Sequence, residues 1–394
     1  MFVELHILQN FAPSNLNRDD TNAPKDCEFG GFRRARISSQ CLKRSIRSEF
    51  SRSELIPAEN LAKRTRKLVD ELTTQLVTEA RPEAQVRAIV EFAVNGSGLA
   101  TKEGRTEYLL FLSTESIRRF AELISQHWDE LAAVAGDGSE PADPKAKKEK
   151  KKAKAEAPES LRTALRTLLD GTRAADLALF GRMLADLPSD NVTAASQVAH
   201  AISTNKVEME FDFFTAVDDL QATGETGAGM MGTVEFNSSC FYRYLNVDVG
   251  QLTTNLGDDA ELATQTVAAF IRAAVLAVPT GKQNSMAAQN PPSFVMAVVR
   301  SNGLWSLANA FVKPVWPKKD EDLVSASIGR LDAYWQQLAD NYGAGAVQAK
   351  AVMTMHDDAL TNLSGVRVTG NADRSALDAV VATVLTALGS GGQS

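Results

Sequence analysis

Cysteine is nearly absent. Three stand in 394 residues, Cys27, Cys41 and Cys240, far apart and with no CxxC pair. That excludes a disulfide-stapled scaffold and a cysteine zinc site, and it fits a reducing cytosol, so the expected location is cytoplasmic. Long apolar runs are missing too. The most apolar helical segment, Thr264 to Val278, carries Arg272 in its middle, which speaks against a membrane span or a membrane partner. Met1 to Phe11 holds Glu4 and His6 and lacks a basic leader region, so it does not read as a signal peptide. Histidine is limited to His6, His127, His200 and His356, and neither GxSxG nor HExxH occurs. His356-Asp357-Asp358 therefore looks like an HD metal site without its remaining ligands, and His200 reads as a packed or capping residue. Asp19-Asp20 and Asp218-Asp219 read as turn and cap residues before they read as a cation site. Gly281-Lys282 resembles the tail of a phosphate loop, but Leu276 and Gln283 stand where that loop needs glycine and Ser/Thr.

What is present is an uneven distribution of charge. The chain carries 42 Lys+Arg and 49 Asp+Glu, a net −7, and so does not look like a nucleic-acid binder overall. Yet residues 32–52 hold Arg33, Arg34, Arg36, Lys43, Arg44, Arg47 and Arg52 against one acid, Glu49. On a helix, Gln40, Lys43, Arg44 and Arg47 fall in an arc of roughly 100°. Leu42, Ile46 and Phe50 occupy a separate arc, which faces the core. Cations at this spacing can follow a phosphate backbone, with hydroxyls such as Ser38 adding hydrogen bonds. A second basic run, Lys145 to Lys154, holds seven lysines and one glutamate among flanking prolines. It reads as a solvated, disordered surface loop.

Periodicity gives an α+β plan. Phe2 to Gln9 alternates as a half-buried strand, and Phe11 to Phe32 reads as loop with a turn at Gly30-Gly31. Ser39 is the expected cap of a helix ending near Phe50. Pro57 to about Asp186 reads as mostly helical. Leu61, Leu68, Leu72 and Leu76 form one stripe, and Ile117, Phe120, Ile124 and Leu131 another, capped by Thr114. From Val207 the period is two, and a glycine-rich loop then leads to a strand from Val234 to Val247, predicting a β-ribbon. Asp258 to Val278 reads as a helix, Ser293 to Arg300 as a strand, and Leu323 to Asp340 as a helix. A last helix is capped by Asp373. On the ribbon, Phe213 shares its face with Val207, Met209 and Phe211 and is the expected anchor. Phe214 shares its face with Glu208, Glu210 and Asp212 and is the ring expected to be free.

The segment Ser14-Asn15-Leu16-Asn17-Arg18-Asp19-Asp20-Thr21-Asn22, then Lys25-Asp26, Phe29-Gly30-Gly31, Arg33-Arg34-Ala35-Arg36-Ile37-Ser38-Ser39-Gln40 and Leu42-Lys43-Arg44, resembles the CasC family. These are the backbone subunits of type I-E CRISPR Cascade complexes. Ala199-His200-Ala201-Ile202, Phe214-Thr215-Ala216-Val217-Asp218-Asp219-Leu220 and Phe241-Tyr242-Arg243-Tyr244 extend the likeness. The resemblance implies a modified RNA-recognition-motif (ferredoxin-like) palm in residues 1–56, 197–206 and 241–394. It implies helical fingers in 57–196, with the lysine-rich insert near 136–159, and a β-ribbon thumb in 207–240. It further implies a non-catalytic protein without cofactor or metal. Several copies stack head to tail along CRISPR guide RNA with other Cascade subunits, displace bases at intervals, and present the rest to a target DNA strand. Carried over, the RNA contacts are Arg18, Ser38, Gln40, Lys43, Arg44 and Arg47 in the palm, Met183 in the fingers, and Phe213, Phe214 and Thr215 in the thumb. Two rivals remain: an RNA-cleaving type III-like subunit using Asp19 or Asp20, and a generic single-stranded RNA-binding module.

Overall fold

In the computed structural model, residues 1–78, 80–135, 174–183, 191–216 and 230–390 are described. The lysine-rich insert, Asp218-Asp219 and glycines 224, 227 and 229 lie outside them. The chain divides into two compact units, one of residues 1–55, 196–250 and 264–394, the other of 56–195 and 251–263. The fold is mixed α/β, built on an antiparallel sheet.

The sheet belongs to the first unit. Its strands are β1 (Phe2–Ser14), β2 (Asp26–Phe29), β3 (Phe32–Ile37), β8 (Ser196–Val198), β9 (Ala201–Ser203), β10 (Glu210–Ala216), β11 (Met230–Asp248), β12 (Phe294–Arg300) and β13 (Val347–Thr354). They run in the order β13-β12-β1-β11-β9-β3-β2, with β8 and β10 also pairing β11. Thus β1 is central, with His6 opposite both Tyr244 and Met296. It is buried on both faces rather than one: Val3, Leu5 and Ile7 are inaccessible, and so are Glu4 and His6. The second face is covered by the helix Leu323–Tyr342, whose Ile328, Leu331 and Trp335 join Leu8, Tyr242 and Met296 in one core. On the first face, buried Arg243 donates to the carbonyl of Ala274 (2.6 Å), in the helix Ala260–Leu276.

Several expected boundaries move. The segment expected to be loop before Phe32 contains the end of β1 and the hairpin β2–β3, whose turn is Gly30-Gly31 as expected. The helix expected over Asp258 to Val278 starts at Ala260, because Asp258 is left-handed (φ 62°) and Asp259 caps the N–H of Leu262. The last helix, Ala376–Ser390, is capped by Ser375 and Asp378 bonding reciprocally, not by Asp373.

The second unit is less purely helical than its stripes suggest. Two small antiparallel two-stranded sheets, β4 (Ala62–Thr65) with β7 (Leu110–Ser113) and β5 (Thr101–Lys102) with β6 (Arg105–Thr106), interrupt it. Leu61 is buried but precedes β4, so the helix carrying Leu68, Leu72 and Leu76 begins at Leu68. Ser113, not Thr114, caps Thr114–Gln126 by accepting from the Ser116 N–H (3.0 Å). These helices share a core of Leu68, Leu72, Ile89, Phe120, Ile124 and Leu131. Among the described residues no helix is long and apolar enough to cross a membrane.

Candidate nucleic-acid interface

The interface is built around α1 (Ser39–Arg52). Its buried stripe is Leu42, Ile46 and Phe50, as the spacing predicts. The cap lies one residue earlier than expected. Ser38 Oγ accepts from the Cys41 N–H (3.3 Å), while the N–H of Ser38 donates to Asn17 Oδ1 (2.8 Å) and that of Ser39 to His200 Nδ1 (3.1 Å). His200 is therefore the capping residue expected of it. Burial, then the nearby Arg36 and Lys25 charges, lower its pKa, which keeps the ring neutral and able to accept. With its first donors satisfied locally, α1 presents its polar arc outward: Gln40 and Arg44 are exposed, Lys43 and Arg47 half-buried. Burial lowers the pKa of Lys43.

Beside this arc, residues 15–25 fold into a tight loop. Asp19 accepts from the N–H and hydroxyl of Thr21 and from the N–H of Ala23, which holds its carboxyl below the usual range, the Thr21 hydroxyl first. It is a turn residue, as expected. Asn15 donates to the carbonyls of Asn22 and Glu235 (both 3.0 Å), pinning the loop to β11. Arg18 is left exposed, its guanidinium donating to Asn22 Oδ1 (3.4 Å).

Between loop and helix lies an open cleft of about 570 Å³, lined by Arg18, Asn22, Ser38, Gln40, Arg44, Ser48 and Arg52, and on its other side by Thr280 and Gly281. No carboxylate among the described residues pairs with Arg44. Glu49, buried in the cleft's floor, pairs with Arg52. Four of the expected contacts, Arg18, Ser38, Gln40 and Arg44, thus meet in one cleft. The charge count of the basic segment overstates what faces outward. Arg34 is fully buried and donates to the carbonyls of Ser203, Thr204, Phe311 and Val312 (2.7–3.1 Å), and Arg33 pairs with Asp26. Sequence reasoning missed the Thr280-Gly281 wall. Its signal, Gly281-Lys282, was visible but suited a different phosphate motif.

The ribbon reverses the expected faces. Phe213 is 64% exposed, together with Phe211 and Met231, whereas Phe214 is 38% exposed. The Phe214 partner across the ribbon is Gly232, and the ring lies over it: a Cβ there would stand 2.5 Å from Phe214 Cζ. A bare glycine offers the ring a seat. Phe213 faces Thr233 instead and projects outward, and Thr215 is exposed on the same face. Met183 belongs to the second unit and is 83% exposed.

No curated protein matches the chain. A family model described as CT1975-like protein matches residues 3–383. Among solved structures, a chain of a "CRISPR RNA-guided surveillance complex, pre-nicking" is similar at 30% identity and TM-score 0.81, covering 97% of this chain and 99% of that one. A chain of a "CRISPR RNA-guided surveillance complex" is similar at 25% identity and TM-score 0.73, covering 98% and 100%.

Proposed function

The chain belongs to the CT1975-like protein family, and from that premise we propose that it is a non-catalytic, guide-RNA-binding backbone subunit of a type I-E CRISPR Cascade complex in the cytoplasm. The observation that carries this reading is the cleft: Arg44, with no carboxylate partner among the described residues, and exposed Arg18 stand beside the hydroxyls and amides of Ser38, Ser48 and Gln40, which suits a ribose-phosphate backbone. Lys43 and Arg47 extend the same helix face. The palm is the first unit. Its order β12-β1-β11-β9, with α1 after β1 and the helix Ala260–Leu276 between β11 and β12, supports a ferredoxin-like, RNA-recognition-motif reading. The second unit is the fingers, carrying Met183 toward a base or sugar. The β10–β11 ribbon is the thumb, with Phe213 and Thr215 on its outward face and Phe214 seated over Gly232.

Several copies stack head to tail along the guide, a heterologous contact that grows as an open filament. Each thumb displaces one base, other subunits complete the complex, and the exposed bases pair with a target DNA strand. Protein reads backbone shape and pairing reads sequence. Engagement of the Asp19 carboxylate by three donors of its own loop favours binding over cleavage by an Asp19-dependent mechanism.

The test is RNA binding by Arg18→Ala/Arg44→Ala across a salt series. Two lost phosphate contacts flatten the log–log salt slope by roughly 1.4 for a single strand. An unchanged slope with a native circular dichroism spectrum overturns the reading.

A further inference from the structure

The guide contacts placed in the cleft so far lie on one wall, α1 and the loop of Arg18. The other wall is the turn through Thr280 and Gly281. Gly281 presses against the Arg18 loop: a methyl on its Cα would stand 2.3 Å from the Leu16 carbonyl oxygen and 2.8 Å from that of Asn15. Any larger residue would push the two walls apart. The turn is also braced from within. Gln283 donates from Nε2 to the carbonyls of Pro279 (3.0 Å) and Ala288 (3.2 Å). Lys282, directly after Gly281, is left-handed at φ 50°. That conformation comes freely to glycine and readily to asparagine, and is strained for lysine. Strain maintained by a rigid surround points to a use for the side chain. Among the described residues no carboxylate pairs with the Lys282 ammonium.

We propose that Lys282 is a further guide-RNA contact, a phosphate-binding cation supplied by the second wall of the cleft. This rests on the reading of the cleft as the guide groove. The turn is held in place before RNA arrives, so the residue directly after the Gly281 wall is presented without ordering the backbone at the moment of binding.

Lys282→Gly separates a binding role from a folding one, because glycine removes the charge and relieves the left-handed strain together. With a fluorescein-labelled single-stranded oligoribonucleotide of mixed sequence as probe, binding weakens and the log–log salt slope falls by about 0.7. The deficit therefore shrinks by roughly 2.6-fold for each about fourfold rise in salt. The melting temperature of the variant does not fall, since relief of strain offsets the added freedom of its unfolded chain. Lys282→Arg restores the slope. If Lys282→Gly leaves affinity and slope unchanged while Arg44→Ala lowers both, the inference fails and the groove stands. If Arg44→Ala also changes nothing, the groove reading itself has failed. A fall in melting temperature that accounts for the weaker binding, with the salt slope intact, assigns Lys282 a structural role and overturns the proposal.

Discussion

His6 sits in the middle of β1 with no access to water. The Tyr242 hydroxyl accepts from the Leu307 N–H (2.9 Å) and is hydrogen-bonded to His6 Nδ1 (2.9 Å). Tyr244 and Trp335 rings close around the imidazole. Burial, and the Arg300 guanidinium nearby, lower its pKa to about 3. In the unfolded chain it titrates near 6.5. The unfolded state therefore takes up a proton that the folded state refuses, and stability falls as pH drops from about 6.5 toward 3, by up to about tenfold in the folding equilibrium per pH unit. Glu4 on the same face works in the opposite sense. Burial raises its pKa, so its contribution is present below its unfolded value of 4.5 and is lost as pH rises through the folded one. From about pH 6.5 down to pH 5 the histidine contribution lowers stability. Urea unfolding should show the midpoint dropping over that interval, and His6→Gln should flatten the drop. A variant keeping the full drop would clear His6 of responsibility. In the sequence, Glu4 and His6 alternate with Val3, Leu5 and Ile7 and look solvent-facing. The helix that covers them arrives more than three hundred positions later, where one-strand periodicity has no view.

At the level of elements, α1 was readable almost to the residue because two separate signals agreed, a four-residue apolar step and a run of cap-forming serines. The ribbon was readable as a ribbon but not as to its faces. Comparing alternate residues in the sequence groups Phe213 with Val207 and suggests an anchor, but Val207 precedes the strand, which begins at Glu210. What decides the matter is the partner strand, which sets Gly232 opposite Phe214. Phe213→Ala should leave the unfolding free energy of the isolated chain within about 0.5 kcal/mol, while periodic protection of bound RNA is lost. Phe214→Ala should destabilise the ribbon measurably, since its ring seat on Gly232 is emptied. Equal melting curves for the two variants would contradict this assignment. In the cleft, the basic face of α1 was evident from composition. The burial of Arg34 was not, because its four carbonyl partners come from segments 169 to 278 positions away.

For the molecule as a whole, each unit carries its own apolar core, and the candidate cleft is made entirely within the first. Ile89 is fully buried in the second. Ile89→Ala should cost about 2–5 kcal/mol of that unit's stability, seen as an earlier melting transition. The salt slope of RNA binding should stay unchanged at temperatures below that transition. A flattened slope would mean that phosphate contacts depend on the second unit's core. The placement of β1 at the centre of the sheet also dictates an order of events at the ribosome. Its two neighbours, β11 and β12, are translated more than two hundred residues after it. At about 5–20 residues per second, β1 waits on the order of 10–40 s with both edges unsatisfied. The intervening stretch 56–195, most of the second unit, is continuous and can collapse as it emerges. The nascent chain thus carries a collapsing insertion on an unfinished sheet, and until β11 and β12 arrive the free edges of β1 are open to pairing with another chain.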